Sequence, residues 1–132
     1  MAMAQAGQDQ RALLRLTGEA AAAAGDLLDH ATTAVRALVT RDGASEAALL
    51  TREQHAVHGL AWLATYAQAL RQMQAWAARL DDAGAFGALE RALLAAAFGE
   101  YLARIQGGMP MSQGEIARLT ALGVDDAAIA RS

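Results

Sequence analysis

The sequence predicts an all-α protein: an antiparallel up-down bundle of three long helices, with one or two short helices at its C-terminal end. Three observations predict it. Of 132 residues, 36 are Ala and 18 are Leu, the strongest helix formers. Val and Ile together number only 7 and there is one Pro, so the residues that strands favour are scarce. Apolar residues also recur at steps of three and four through three long stretches, the spacing that builds one face at 3.6 residues per turn. Residues 1–8 are small and polar and read as a disordered tail. A single helical-bundle domain is expected over 9–132, a length that buries about two thirds of its unfolded surface.

The first helix is expected over 9–40. Leu13, Leu16, Ala20, Ala23, Leu27, Ala31, Ala34 and Leu38 form its stripe, and Gly18 and Gly25 permit a bend. Arg41-Asp42-Gly43 should stop it, with Gly43 as a left-handed cap. Ser45 is placed to cap a second helix that runs to about Leu80, with Glu46 in its first turn where the helix dipole favours negative charge. Its stripe is Leu49, Ala56, Leu60, Leu63, Ala67, Leu70 and Ala77. A third helix over 86–106 aligns Phe86, Leu89, Leu93, Ala97, Tyr101 and Ile105 before Gly107, Gly108 and Pro110 end it. Ser112-Gln113-Gly114-Glu115 has the pattern of a capping box opening a short helix that ends near Gly123. Asp125 should cap a last turn or two, with Val124 and Ile129 as a hydrophobic staple.

Lengths then constrain packing. At 1.5 Å per residue the first two helices span about 50 Å and the third about 30 Å. The third therefore covers only half of the pair and leaves Leu27, Leu28, Val35, Leu38, Leu49, Leu50 and Val57 as an apolar seam. Such a seam requires a folded-back C-terminus, a second copy, or a neighbouring domain.

Composition excludes several function classes. With no Cys there is no disulfide, no thiolate nucleophile and no Cys-based zinc site. All 11 basic residues are Arg, they are scattered, and the net charge is −3, so a nucleic-acid footprint is not expected. The N-terminus has neither the basic nor the apolar region of a signal peptide, and the most apolar windows are too short to span a bilayer. A soluble cytoplasmic protein with no membrane partner is the expectation. The Ala- and Arg-rich usage resembles that of a GC-rich bacterial genome.

Candidate chemistry is sparse. His55 and His58 lie three apart on a helix and can reach one ligand, but a metal site needs further ligands. Glu90 or Glu100 are the carboxylates another helix offers, and the simplest role of the His pair is hydrogen bonding. Trp62, Tyr66, Arg71 and Trp76 read either as an aromatic recognition surface or as the bulk that an Ala-rich core needs. Glu53, Glu90 and Glu100 read as solvated charges rather than an acid-base pair. A superficial helix-turn-helix pattern over 119–131 lacks a basic recognition helix. No catalytic, cofactor-binding or metal-ligating residue is expected in this chain.

Two stretches carry a family resemblance. One is 53–73, with Gln54-His55-Ala56-Val57-His58-Gly59-Leu60-Ala61-Trp62 at its start. The other is 98–115, with Phe98-Gly99-Glu100-Tyr101 and Gly107-Gly108-Met109-Pro110-Met111. They resemble the helical N-terminal extension of acyl-CoA dehydrogenases of the (2S)-methylsuccinyl-CoA dehydrogenase type, over about 43–123; residues 1–42 match only in helical character. That family oxidises a branched dicarboxylic acyl-CoA to its 2,3-enoyl product with FAD, in the ethylmalonyl-CoA pathway. The flavin site and catalytic Glu of such enzymes lie in the core that follows the extension, so no catalytic or FAD-binding residue carries over. The resemblance implies a non-catalytic accessory domain of an oxidoreductase, packing on a dehydrogenase core, with Glu53, Gln54, His55, His58 and Arg71 as candidate polar interface contacts. The alternative is a stand-alone interaction module that homodimerises through its apolar seam.

Overall fold

The computed structural model describes the backbone of residues 1–131, and the side chains of all of these except 2–4 and 113. Ser132, the end of the expected domain, and the Gln113 side chain lie outside the described residues. Helix α1 (Ala2–Val39) leads through a hairpin, β1 (Thr40–Arg41) and β2 (Ala44–Ser45), to the short α2 (Ala47–Arg52) and the long α3 (Gln54–Asp82). Helix α4 (Ala88–Gly107) follows, then β3 (Met109–Pro110), β4 (Ile116–Ala117) and the terminal α5 (Asp126–Arg131). Two 3₁₀ turns, Ser112–Gly114 and Leu119–Leu122, flank β4. The all-α bundle of three long helices is therefore present.

Helices α1 and α3 run antiparallel, since Gln10 bonds Asp81 and the Gln74 amide donates to the Leu14 carbonyl. Helix α4 returns beside α3 and parallel to α1, with the Arg91 guanidinium donating to Gln10 Oε1 at 3.1 Å. Leu63, Leu70, Leu94, Met109 and Leu122 are the largest fully enclosed side chains. Each fully buried Leu or Met of this kind stabilises the fold by about 1.5–3 kcal/mol.

The seam along α1 and α3 is closed by the chain itself. After α4, residues 109–131 fold back, burying Ala117, Leu119, Leu122, Val124 and Ala128. Leu27, Val35 and Leu49 are buried, while Leu38 and Leu50 stay over a third exposed. Two glycines allow the approach: a Cβ on Gly123, which has φ +78°, would stand 2.7 Å from Ala34 Cβ, and one on Gly59 would stand 2.8 Å from Ala117 Cβ. Of the three ways to cover the seam, the folded-back C-terminus is the one realised.

Several boundaries differ from expectation. Helix α1 begins at Ala2, not Asp9, because a helix nucleated downstream propagates cheaply through Ala and Gln. Asp42 and Gly43 both have positive φ (51° and 81°), the pattern of a two-residue type I′ turn, so they join a hairpin with Arg41 opposite Ala44. Ser45 lies in that hairpin and is not a cap; the α2 N-cap is Glu46, without a side-chain hydrogen bond. The expected second helix is interrupted at Glu53 (φ −99°, ψ 21°), outside the helical basin.

The Ser112 capping box does not open an α-helix. Gly114 adopts φ +81°, Met111 N–H donates to the Glu115 carbonyl at 2.7 Å, and the chain turns into the β3–β4 hairpin. At α4 the N-cap is Gly87, whose N–H donates to Glu90 Oε2 at 2.9 Å. The helix turns Leu94, Phe98 and Ile105 inward and leaves Leu89 66% and Leu93 49% exposed, against the expected stripe. The Asp125 cap holds: its Oδ1 accepts the Ala128 N–H at 2.6 Å, beside buried Val124.

Candidate functional site

The break at Glu53 starts α3 at the residues the sequence marks as polar contacts. Gln54, His55 and His58 are exposed on its first turns and border an open hollow of about 430 Å³ whose remaining wall is Glu115. Glu115 arrives there because Gly114 turns the chain back. Sequence reasoning assigned it to a capping box and so missed this placement. Glu90 and Glu100, the carboxylates considered for the His pair, are elsewhere: Glu90 caps α4 and Glu100 pairs with Arg104. Among the described residues no three His, Asp or Glu side chains come together in a way that could hold a metal ion.

The other two expected contacts are separate from this hollow. Glu53 accepts from the Arg52 Nε at 2.7 Å, an exposed pair of little energetic weight. Arg71 is four turns further along α3, its Nη2 donating to Gln68 Oε1 at 2.6 Å. It borders a second hollow between α1 and α3, about 480 Å³, walled by small residues including Gly18, Ala22, Gly25 and Ala64. The structure thus groups Gln54, His55 and His58, and leaves Glu53 and Arg71 apart.

An aromatic ladder runs inward from the His pair. Trp62 Nε1 donates to His58 Nε2 at 3.1 Å, which makes that nitrogen the acceptor and puts the proton of a neutral ring on Nδ1. Trp62 meets Tyr66 edge-on at 6.0 Å, and Tyr66 stacks on Tyr101 of α4 with centroids 4.9 Å apart. Tyr66 is buried, while Trp62 and Trp76 are half-buried against the core. The rings supply the bulk that Ala cannot, rather than an open recognition surface. The Arg104 guanidinium is held above its ordinary pKa, first by a hydrogen bond to Tyr66 and then by the Glu100 carboxylate.

These features define a class: an all-α bundle of three long helices closed by a folded-back C-terminal segment, with an exposed polar cluster at the start of α3. No family model matches the chain. It is similar to (2S)-methylsuccinyl-CoA dehydrogenase from Cereibacter sphaeroides, 48% identical over 113 residues, or 86% of this chain. The chain spans 21% of the length of that relative. The resemblance is therefore shown, as similarity to one segment of a larger dehydrogenase; at 113 residues the match is longer than the expected 43–123 and must reach into residues 1–42, which share more than helical character. No helix among the described residues is long and apolar enough to cross a membrane.

Proposed function

We propose that this chain is a non-catalytic helical accessory domain that packs against the core of an FAD-dependent acyl-CoA dehydrogenase acting on a methylsuccinyl-CoA-like substrate. The observation that carries the reading is the 48% identity to a segment amounting to 21% of a methylsuccinyl-CoA dehydrogenase. A match at this level over nearly the whole bundle makes the helices themselves the shared feature.

In this reading the core holds the flavin and performs the oxidation. The hollow between α1 and α3 offers one cation, Arg71, which Gln68 already engages, in a lining of Ala and Gly with Leu28, Asp29, Gln68 and Gln74. No step is routed through this chain. Gln54, His55 and His58 act together as polar contacts to the core, with Glu53 and Arg71 as outlying ones.

The experiment mixes this chain with the relative's polypeptide lacking the matched segment and follows (2S)-methylsuccinyl-CoA oxidation. The expected result is a change in turnover or in retained flavin on adding the chain. No association together with no change in activity removes the reading.

A further inference from the structure

Over 89–99 helix α4 is apolar on the side it turns to water as well as on the side it buries; past that stretch the exposed Glu100–Arg104 pair borders the same side. Leu89, Ala92, Leu93, Ala96, Gly99 and Ala103 follow one another at helical spacing and are all exposed. No charged residue occurs between Arg91 and Glu100. The charges that α4 does carry are engaged within the chain: Glu90 with the Gly87 N–H, Arg91 with Gln10, and Glu100 with Arg104. An exposed apolar patch of this kind on a helix marks a surface that another element can cover. Leu89 and Leu93 project from a floor of Ala and Gly, a profile of ridge and flat that accepts another helix closely.

We propose that this outer face of α4 is the apolar centre of the surface on which the dehydrogenase core sits, a statement that rests on the accessory-domain reading above. The occupant is the polypeptide that makes up the other four fifths of the relative. The chain matches 21% of that protein, so in the relative the remainder is covalently attached to the matched segment. Attachment presents it at a high effective concentration. Residues 109–131 fill most of the seam along α1 and α3, and among the exposed large apolar side chains Leu89 and Leu93 stand one turn apart on a single helix with Ala and Gly around them, whereas Leu38 and Leu50 are less exposed. The uncharged stretch fits an apolar partner surface, and the Gln54–His58 cluster fits a polar rim, since interfaces place charge and amide groups around a dry centre.

The test uses the absence of cysteine in this chain. Leu93→Cys on the α4 face, His58→Cys at the polar cluster and Ala22→Cys on the α1–α3 hollow each introduce one thiol. Maleimide labelling is followed on the peptide by mass spectrometry, in the isolated chain and in the full-length relative carrying this chain in place of its matched segment. The same three substitutions at the aligned positions of the intact relative keep the result independent of how the graft folds. The expected result is labelling at Leu93→Cys at least tenfold slower in the full-length protein, with Ala22→Cys, beside the outlying contact Arg71, slowed less. A thiol at Leu93→Cys that labels equally fast in both, while His58→Cys or Ala22→Cys becomes shielded, overturns the α4 face and leaves the accessory-domain reading standing. Equal labelling at all three positions overturns both. Shielding of Leu93→Cys in the isolated chain that grows with concentration assigns the face to a second copy and overturns the proposal.

Discussion

Gly59 of α3 and Ala117 of β4 touch so closely that no Cβ fits between them: one built on Gly59 stands 2.8 Å from Ala117 Cβ and 3.0 Å from Leu122 Cδ2. The glycine's position in a helix interior, which disfavours it by about 1 kcal/mol against Ala, is offset by what this approach allows. Residues 109–131 can lie on α3 and close the bundle.

Gly59→Ala sets helix propensity against overpacking, and overpacking of about 1–3 kcal/mol should win. The expected outcome is a net loss of about 1 kcal/mol, or about 4 °C in Tm. In an Ala117→Gly background the same substitution should become neutral or stabilising. Chemical denaturation of the four-member cycle measures the coupling; a Gly59→Ala that stabilises the unmodified chain contradicts the packing described.

Leu93 and Leu94 are neighbours with opposite fates, one 49% exposed and the other fully buried. Leu94→Ala should cost about 2–5 kcal/mol by opening a cavity. Leu93→Ala should stay within about 0.5 kcal/mol in the isolated chain. Thermal or urea unfolding of the two variants decides it, and equal losses would mean that α4 is rotated from the orientation described.

Asp125→Ala removes the acceptor for the Ala128 N–H at the start of α5. The expected loss is about 1 kcal/mol, with faster amide exchange confined to 126–131. Asp125→Asn should recover most of it, because the amide oxygen accepts the same bond. Unchanged exchange in Asp125→Ala would show that the cap does not hold α5.

Gly43→Val places a β-branched residue at φ +81° in the two-residue turn between β1 and β2. A loss of about 1–2 kcal/mol is expected from the left-handed conformation alone, since open space surrounds the position. Calorimetry of Gly43→Val beside Gly43→Asn separates conformation from size, because Asn tolerates this region better. Equal stability of the two variants contradicts the turn geometry.

How much of this was legible in the sequence depended on how local each signal was. The Asp125 cap and the long helices were, because a capping side chain and a three-four apolar spacing act within a turn or two. The orientation of α4 was not: between Arg91 and Glu100 the helix carries only Leu, Ala, Phe and Gly, so over its middle the 3.6-residue period has no polar residue to set its phase, and the Glu100–Arg104 pair on the water side marks it only near the end. Asp42-Gly43 is a cap in one context and a hairpin turn in another, and the two-residue strands around it leave no alternation to tell them apart. The meeting of Glu115 with His55 and His58 depends on Gly114 and on residues 109–117 folding back, which no local pattern encodes. Three members of the polar cluster, Gln54, His55 and His58, were visible in the sequence, and the fourth, Glu115, was not.

Sedimentation of this chain with the relative's polypeptide lacking the matched segment tests the central claim most directly. The account predicts a single 1:1 complex whose stability falls at least tenfold when Leu89 and Leu93 are both changed to Glu. Two independent boundaries at every mixing ratio, with each component folded, would contradict it.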